Sequence, residues 1–464
     1  MIATQSEPCI HMRYVWPAAI SASLGGLLFG YDWVVIGGAK PFYEAFFRLD
    51  SPTLEGWAMS CALLGCLIGA LVSGAASEAL GRKQSLLIAA LIFTVSSVGT
   101  ALAPTFTSFV LWRMMGGAAI GLASCLSPVY IAELAPAAVR GMLVSLNELA
   151  IVLGILFAQT ANFLIARPVP AAATPVEIMH SWNGQVGWRW MFGVTAVPAA
   201  IFLVAMLFVP ESPRWLAPRR PEKARFILER IGGPSYASQV LADIENSLKT
   251  VHTNTEVAAL VEGKNAGILA LGIALAVLQQ WCGINIIFNY AQDIFSAAGF
   301  TMSSMLFNIL VTGVVMVVFT VISLFLVDRF GRRILMLSGC ASLALLYAVL
   351  GLLMHQGSHR FVMLFLVLAA IAVYAMTLAP MTWVILSEIF PNRIRGLAMA
   401  IATTSLWAGC FVLTYTFPLL KHFLGTGRTI WIYGLVCASG FVLVWLRLPE
   451  TKGKTLEAIE SSWK

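Results

Sequence analysis

The chain has 464 residues, of which 59% are hydrophobic and only 11% charged, and its mean hydropathy is +0.85. An ordinary water-soluble domain carries about 25% charged residues, so a soluble globular protein is excluded. The net charge of +7 would suit nucleic acid, but the basic residues flank apolar runs instead of forming one patch, and no nucleic-acid partner is expected.

A hydrocarbon core about 30 Å thick needs about 20 apolar residues per helix. Twelve such runs occur, at 14–39, 56–77, 84–103, 105–129, 142–166, 188–209, 267–291, 303–327, 334–354, 361–387, 397–420 and 429–447. The chain therefore reads as an all-α membrane protein with twelve transmembrane helices. The first run lacks the short apolar core and basic leader of a cleaved signal, so it is expected to stay as the first helix. With the N-terminus inside, Lys and Arg concentrate on the side that bears both chain ends. That is the positive-inside pattern, and both termini are expected in the cytoplasm.

The first run carries a single acid, Asp32, within LGGLLFGYDWVVIGG (24–38). A charge at bilayer depth costs at least about 2.5–3.5 kcal/mol, so Asp32 needs a partner or a role. Arg113 supplies the partner. The first run heads outward and the fourth inward, which brings Asp32, late in its run, and Arg113, early in its run, to similar depth. An Arg beside a carboxylate favours its ionised form, and losing that Arg in a dry site favours the protonated one. A helix movement that makes and breaks the pair would couple a proton to conformation; a permanent structural ion pair is the alternative. Glu148 in the fifth run is the third intramembrane charge, and the second-half runs read as free of charge.

Cys9, Cys61, Cys66, Cys125, Cys282, Cys340, Cys410 and Cys437 are scattered, with no CxxC pair and no histidine at zinc spacing. They read as small apolar packing residues, and no metal or cofactor is expected.

A polar connection, 211–265, separates the sixth and seventh runs. Its pieces PEKARFILERIG and QVLADIENSLK have apolar residues at helical spacing, which predicts short amphipathic helices on the inner face. The expected division is therefore 1–210, a connecting 211–265, 266–448 and a tail, 449–464. Internal repetition supports two six-helix halves. ELAPAAVRG (133–141) matches EIFPNRIRG (388–396), and Gly81-Arg82-Lys83 matches Gly331-Arg332-Arg333. Repeats of this kind place a substrate site between the halves near mid-membrane.

In helix 7, Gln279, Gln280, Asn285 and Asn289 concentrate four amides in eleven residues, each with donors and an acceptor suited to vicinal hydroxyls. A straight helix would spread them around its circumference, whereas a break near Gly283 would gather them. Interhelical amide bonds that merely hold the bundle are the alternative.

The ordered motifs resemble the sugar porters of the major facilitator superfamily over essentially the whole length. They are GYD (30–32), SEALGRK, Arg113 with MMGGAAIG, YIAELAP with VRG, PESPRWL (210–216), QQWCGIN (279–285), DRFGRR, PMTW, SEIFPNRIRG and PETKG (449–453). Bacterial xylose:proton symporters and their hexose relatives are the nearest in character. The resemblance implies the major facilitator fold and import of a monosaccharide, xylose or a hexose such as glucose, together with a proton across an inner membrane. It implies transport by alternating access and no enzyme chemistry. A passive uniporter of the same fold is the alternative, and a transporter-like sugar receptor a more distant one. A single chain is expected to act as a monomer in the lipid bilayer.

The resemblance also assigns residues. Asp32 and Arg113 correspond to the proton-coupling pair, and Gln279, Gln280 and Asn285 to sugar ligands; Asn289 stands where a tyrosine is common. Trp383 in PMTW and Trp407 in TSLW match aromatic site positions, where an indole can cover a sugar's C–H face, and Phe29 is a further candidate wall residue. Glu148 stands where relatives have a sugar-binding glutamine. It can accept from two sugar hydroxyls, titrate as a second proton carrier, or serve as a helix–helix hydrogen-bond partner. Met316 and Leu406 replace amides. Glu133, Arg140, Glu211, Arg214, Asp328, Arg332, Glu388 and Arg395 are the implied cytoplasmic latch, with plain interfacial anchoring as the alternative.

Overall fold

The computed structural model describes residues 10–170, 173–249, 260, 264–297, 299–300, 302–356, 360–391 and 394–452. Cys9, the 453–464 tail, and parts of the 211–265 connection and of the PNR segment fall outside them. Regular structure among the described residues is entirely helical, with twelve helices long and apolar enough to span a membrane.

The first half comprises α1 (Met12–Phe47), α2 (Pro52–Leu80), α3 (Arg82–Leu102), α4 (Phe106–Leu134), α5 (Arg140–Ile165) and α6 (Asn183–Phe208). Their starts are written locally. Ser51 accepts from the Leu54 amide with Pro52 at the first helical position, and Thr105 forms a capping box with Ser108. The connection then forms α7 (Pro221–Lys249), the expected pair of amphipathic helices joined at a kink, Gly233. The His11 amide donates to the Ile231 carbonyl at 2.8 Å and ties the start of α1 to this linker. The side of the bundle carrying α7 is the linker face.

The second half opens with a discontinuous span, α8 (Lys264–Trp281) and α9 (Ile284–Asn289), followed beyond the span by the short α10 (Ala291–Ala297). It continues with α11 (Met302–Phe330), α12 (Arg332–Gln356), α13 (Arg360–Met376), α14 (Leu378–Ile389), α15 (Arg395–Leu424) and α16 (Thr426–Arg447). The run expected as one helix at 361–387 is interrupted at Thr377, whose φ of −124° and ψ of −85° are not helical. Pro380, three residues on, has no N–H to donate back to that turn.

Large apolar side chains such as Leu102, Leu164, Phe208 and Phe325 are largely exposed around the bundle, which suits lipid and not water. The protein is a multi-pass membrane protein. Within the first half α1 packs along α5 and α2 along α4, while α2 meets α15 and α5 meets α11 across the halves. The seven described cysteines are free.

Candidate transport site

Asp32 on α1 and Arg113 on α4 come together at the predicted depth. Arg113 Nη1 donates to Asp32 Oδ1, and the two residues are 4% and 7% exposed for Arg113 and Asp32 respectively. The guanidinium also stacks over the Phe192 ring at 5.3 Å. Phe192 belongs to a packed aromatic group with Tyr43, Phe109 and Trp188, which keeps water from that side.

The pair borders a small chamber between the halves, walled by Phe29, Trp33 and Leu63 of the first half and Asn289 and Trp407 of the second. Phe29 meets Trp407 edge-on, with ring centroids 5.5 Å apart. Trp33 was not singled out from the sequence, although it follows Asp32 directly.

The break in helix 7 falls at Gly283, which adopts φ +86°, a left-handed conformation that side chains other than glycine's rarely tolerate. It gathers three of the four amides. Gln280 Nε2 donates to Gln279 Oε1 at 2.9 Å, Asn285 Nδ2 donates to Gln280 Oε1, and Gln279 Nε2 reaches the Ala379 carbonyl at 3.4 Å. Asn289 is not joined to them. It is buried and lines the chamber beside Arg113.

Glu148 and Trp383 lie elsewhere. On α5, Gln159, Ile155 and Val152 form a buried stripe, and Gln159 Nε2 donates to Thr312 Oγ1 of α11 at 3.1 Å across the halves. Glu148 continues that stripe one turn nearer the linker face, yet it is exposed, within electrostatic range of Tyr374 on α13. The halves therefore part at Glu148 and leave a cleft open to the linker face. Trp383 of α14 is half-buried and does not wall the chamber.

At the opposite face the halves are closed. Gly37 of α1 packs so near α9 that a Cβ would meet the Phe288 carbonyl oxygen at 2.6 Å, and Trp33 meets the Phe288 ring at 6.0 Å. Beyond them lies a buried charge cluster that corrects the sequence reading. The intrahelical charges are not limited to Asp32, Arg113 and Glu148, and the second half is not free of them. Lys40 of α1, 3% exposed, sits 3.0 Å from Asp293 of α10, 3.2 Å from Glu44 and 3.6 Å from Glu55 of α2. Its Nζ also lies 5.6 Å from the centre of the Tyr290 ring, and Lys421 of α15 pairs with Asp293. Burial favours the neutral form of Asp293, but Lys40 and Lys421 outweigh it and hold the carboxyl below its usual range. The signal was in the sequence: Lys40 and Glu44 are spaced i, i+4 just past the apolar run.

On the linker face, Arg82 Nε pairs with Glu133 at 3.0 Å within the first half, and Arg332 pairs with Glu388 at 3.4 Å within the second. Glu211 accepts from the Arg82 and Lys83 amides at the start of α3. Glu450, which was not singled out, accepts from the Arg332 and Arg333 amides at the start of α12. Arg395 donates to the Phe390 carbonyl, while Arg140 and Arg214 are exposed. The Asp328 side chain lies outside the described residues.

This twelve-helix arrangement, with a site between repeated halves, is that of the major facilitator fold. The chain belongs to the sugar transporter family: the family model described as "Sugar (and other) transporter" matches residues 18–463. It is 38% identical to the D-xylose-proton symporter of Escherichia coli, over 97% of this chain and 96% of that one. It is 37% identical to the arabinose-proton symporter of Bacillus subtilis, over 99% and 98%. The E. coli xylose transporter in an inward-open conformation superposes with a TM-score of 0.84 at 36% identity, covering 97% of this chain and 100% of that chain. The same symporter bound to 6-bromo-6-deoxy-D-glucose gives 0.79 at 37% identity, over 98% and 100%.

Proposed function

We propose that the protein imports a monosaccharide, a pentose such as xylose or a hexose such as glucose, together with a proton across a bacterial-type inner membrane. The observation that carries this reading is the buried Asp32–Arg113 pair beside a chamber shared by both halves. A charge pair sequestered at that place is costly and has work to do when the halves move. The relatives that are proton symporters of xylose, arabinose and galactose support the choice of cargo.

In this reading Asp32 takes the proton. Protonation removes the counter-charge of Arg113 in a dry site, where an unpaired cation is unfavourable, so α1 and α4 rearrange and conformation follows the proton. Gln279, Gln280 and Asn285 hold the sugar's hydroxyls, with Trp407, Phe29 and Trp383 as apolar walls. Glu148, at the mouth of the cleft, accepts from the sugar as it leaves. Asn289, enclosed beside Arg113, is set apart from the sugar set. The moving bodies are 1–210 and 266–448, the 211–265 connection and both termini lie in the cytoplasm, and one chain in the bilayer suffices. When the outer face opens, Glu133, Arg140, Glu211, Arg214, Asp328, Arg332, Glu388 and Arg395 close the linker face as a latch. No covalent bond is broken.

The test is sugar-induced alkalinisation outside energy-depleted cells, offering xylose, arabinose, glucose and galactose in turn, beside Asp32→Asn. The expected result is an alkaline shift with at least one sugar, lost in Asp32→Asn while counterflow of that sugar persists. Counterflow with no pH shift, unaltered by the substitution, would make the protein a passive carrier.

A further inference from the structure

The chamber beside the charge pair measures about 20 Å³. A water-sized molecule needs roughly 10–15 Å³, so one fits and a sugar does not. Two of its wall residues each carry a buried polar atom with no partner among the described residues: Nε of Arg113, a donor, and Oδ1 of Asn289, an acceptor. Arg113 and Asn289 are 4% and 2% exposed, so bulk water does not serve them. A cation is repelled by the guanidinium, and an anion leaves the amide oxygen unsatisfied. A hydroxyl oxygen accepts from Nε–H and donates to Oδ1 at once.

We propose that the chamber binds one hydroxyl group, supplied by a water molecule, which bridges Asn289 to Arg113 and makes Asn289 a positioning residue for the charge pair. The inference rests on the proton-symport reading and deepens it. Asn289 ends α9, and α9 begins at the Gly283 break that also carries the Gln279–Gln280–Asn285 chain. A sugar drawing on those amides moves α9 and the bridge together. Proton affinity at Asp32 is then linked to sugar occupancy with no contact between sugar and Asp32. The other titratable groups facing the pair are Tyr31 and Tyr43 of α1 and Cys61 and Cys66 of α2.

The experiment uses the full chain in lipid nanodiscs. Equilibrium binding of the transported sugar and of its single-deoxy analogues is measured from pH 5 to pH 9 for the parent and Asn289→Leu, which keeps the branched shape and heavy-atom count and removes both polar atoms. Without the bridge, Arg113 leans on Asp32 alone and protonation becomes harder. The pH midpoint of binding should fall by about one unit, a tenfold change in the proton concentration required. Each deoxy analogue should lose the same factor in both proteins. An unmoved or rising midpoint overturns the proposal. A deoxy penalty present in the parent and absent in Asn289→Leu overturns the water as the source and assigns the hydroxyl to the sugar. A parent whose binding ignores pH and moves no proton rejects symport instead. The chamber is then decided by a high-resolution map of the parent, where no density between Arg113 Nε and Asn289 Oδ1 overturns the proposal by itself.

Discussion

The protein buries charge in two places, and the two are built on different plans. At mid-depth, Asp32 and Arg113 pair one to one, within one half, through a single guanidinium nitrogen. At the face away from the linker, Lys40, Glu44, Glu55, Asp293 and Lys421 form a five-membered cluster contributed by four helices of both halves. The first arrangement has no spare partner, so adding one proton changes everything about it. The second has three carboxylates for two ammonium groups, and losing one contact leaves others. A pair of the first kind senses; a cluster of the second kind fastens. The cluster joins the halves where Gly37, Trp33 and Phe288 already bring them into contact, so in this structure it holds shut the face away from the linker, the outer face of the proposed topology.

Substitutions can separate the two plans. The largest effect is expected from Arg113→Leu. Removing one partner of a buried pair costs about 3–5 kcal/mol, so folded yield and sugar uptake should both collapse, with uptake more than a hundredfold down. Expression with thermal melting and radiolabelled uptake check this. Lys40→Met comes next. It strips three carboxylates of their common cation and should free the outer face while leaving Asp32 paired. Maleimide labelling of Cys66, which lines the chamber, should then rise at least tenfold from the outside, with counterflow retained. Equal labelling before and after would show that the cluster does not hold the gate.

The third prediction concerns pH. Because Lys40 and Lys421 depress Asp293, its contribution to closure is fully present above the ordinary Asp value of about 3.9 and is lost only as pH falls through the still lower value of the closed state. Titration of Asp293 therefore leaves the face away from the linker shut from pH 5 to pH 8, read as a constant spin-label distance between α1 and α10, with opening only in stronger acid; Asp293→Asn should remove that acid opening. Lys421→Gln is the smallest. Its side chain is 35% exposed and water screens it, so closure should weaken by less than about 1 kcal/mol, within about fivefold in the maleimide labelling assay.

Much of this was legible in the residues. The twelve spans follow from apolar runs, and the depth of Asp32 and Arg113 follows from counting along antiparallel helices. The break at Gly283 was signalled by four amides that no straight helix could face one way. The placement of Asn289 was not, because rotation across a broken helix is set by tertiary contacts that spacing does not encode. The interruption at Thr377 was hidden for a similar reason, since an apolar run scores alike whether one helix or two cross it. The outer cluster was missed because the apolar run stops at Lys40 while the backbone stays helical to Phe47. Hydropathy marks where lipid contact ends, not where the helix does. Those charges are sheltered by one another and by Tyr290, which a residue-by-residue scale cannot register.

The paired motifs on the linker face carry a mechanical consequence. Glu211 clamps the start of α3 and Glu450 the start of α12, while Arg82–Glu133 and Arg332–Glu388 each brace two helices of a single half. Turning one half against the other stretches none of these braces. Each half is stiffened like a hinge leaf, and the resistance to turning is left to the contacts that cross the joint, Lys40 to Asp293 and Gln159 to Thr312 among them. Stiff leaves concentrate motion at the joint, so a small chemical change there is read out as a large swing.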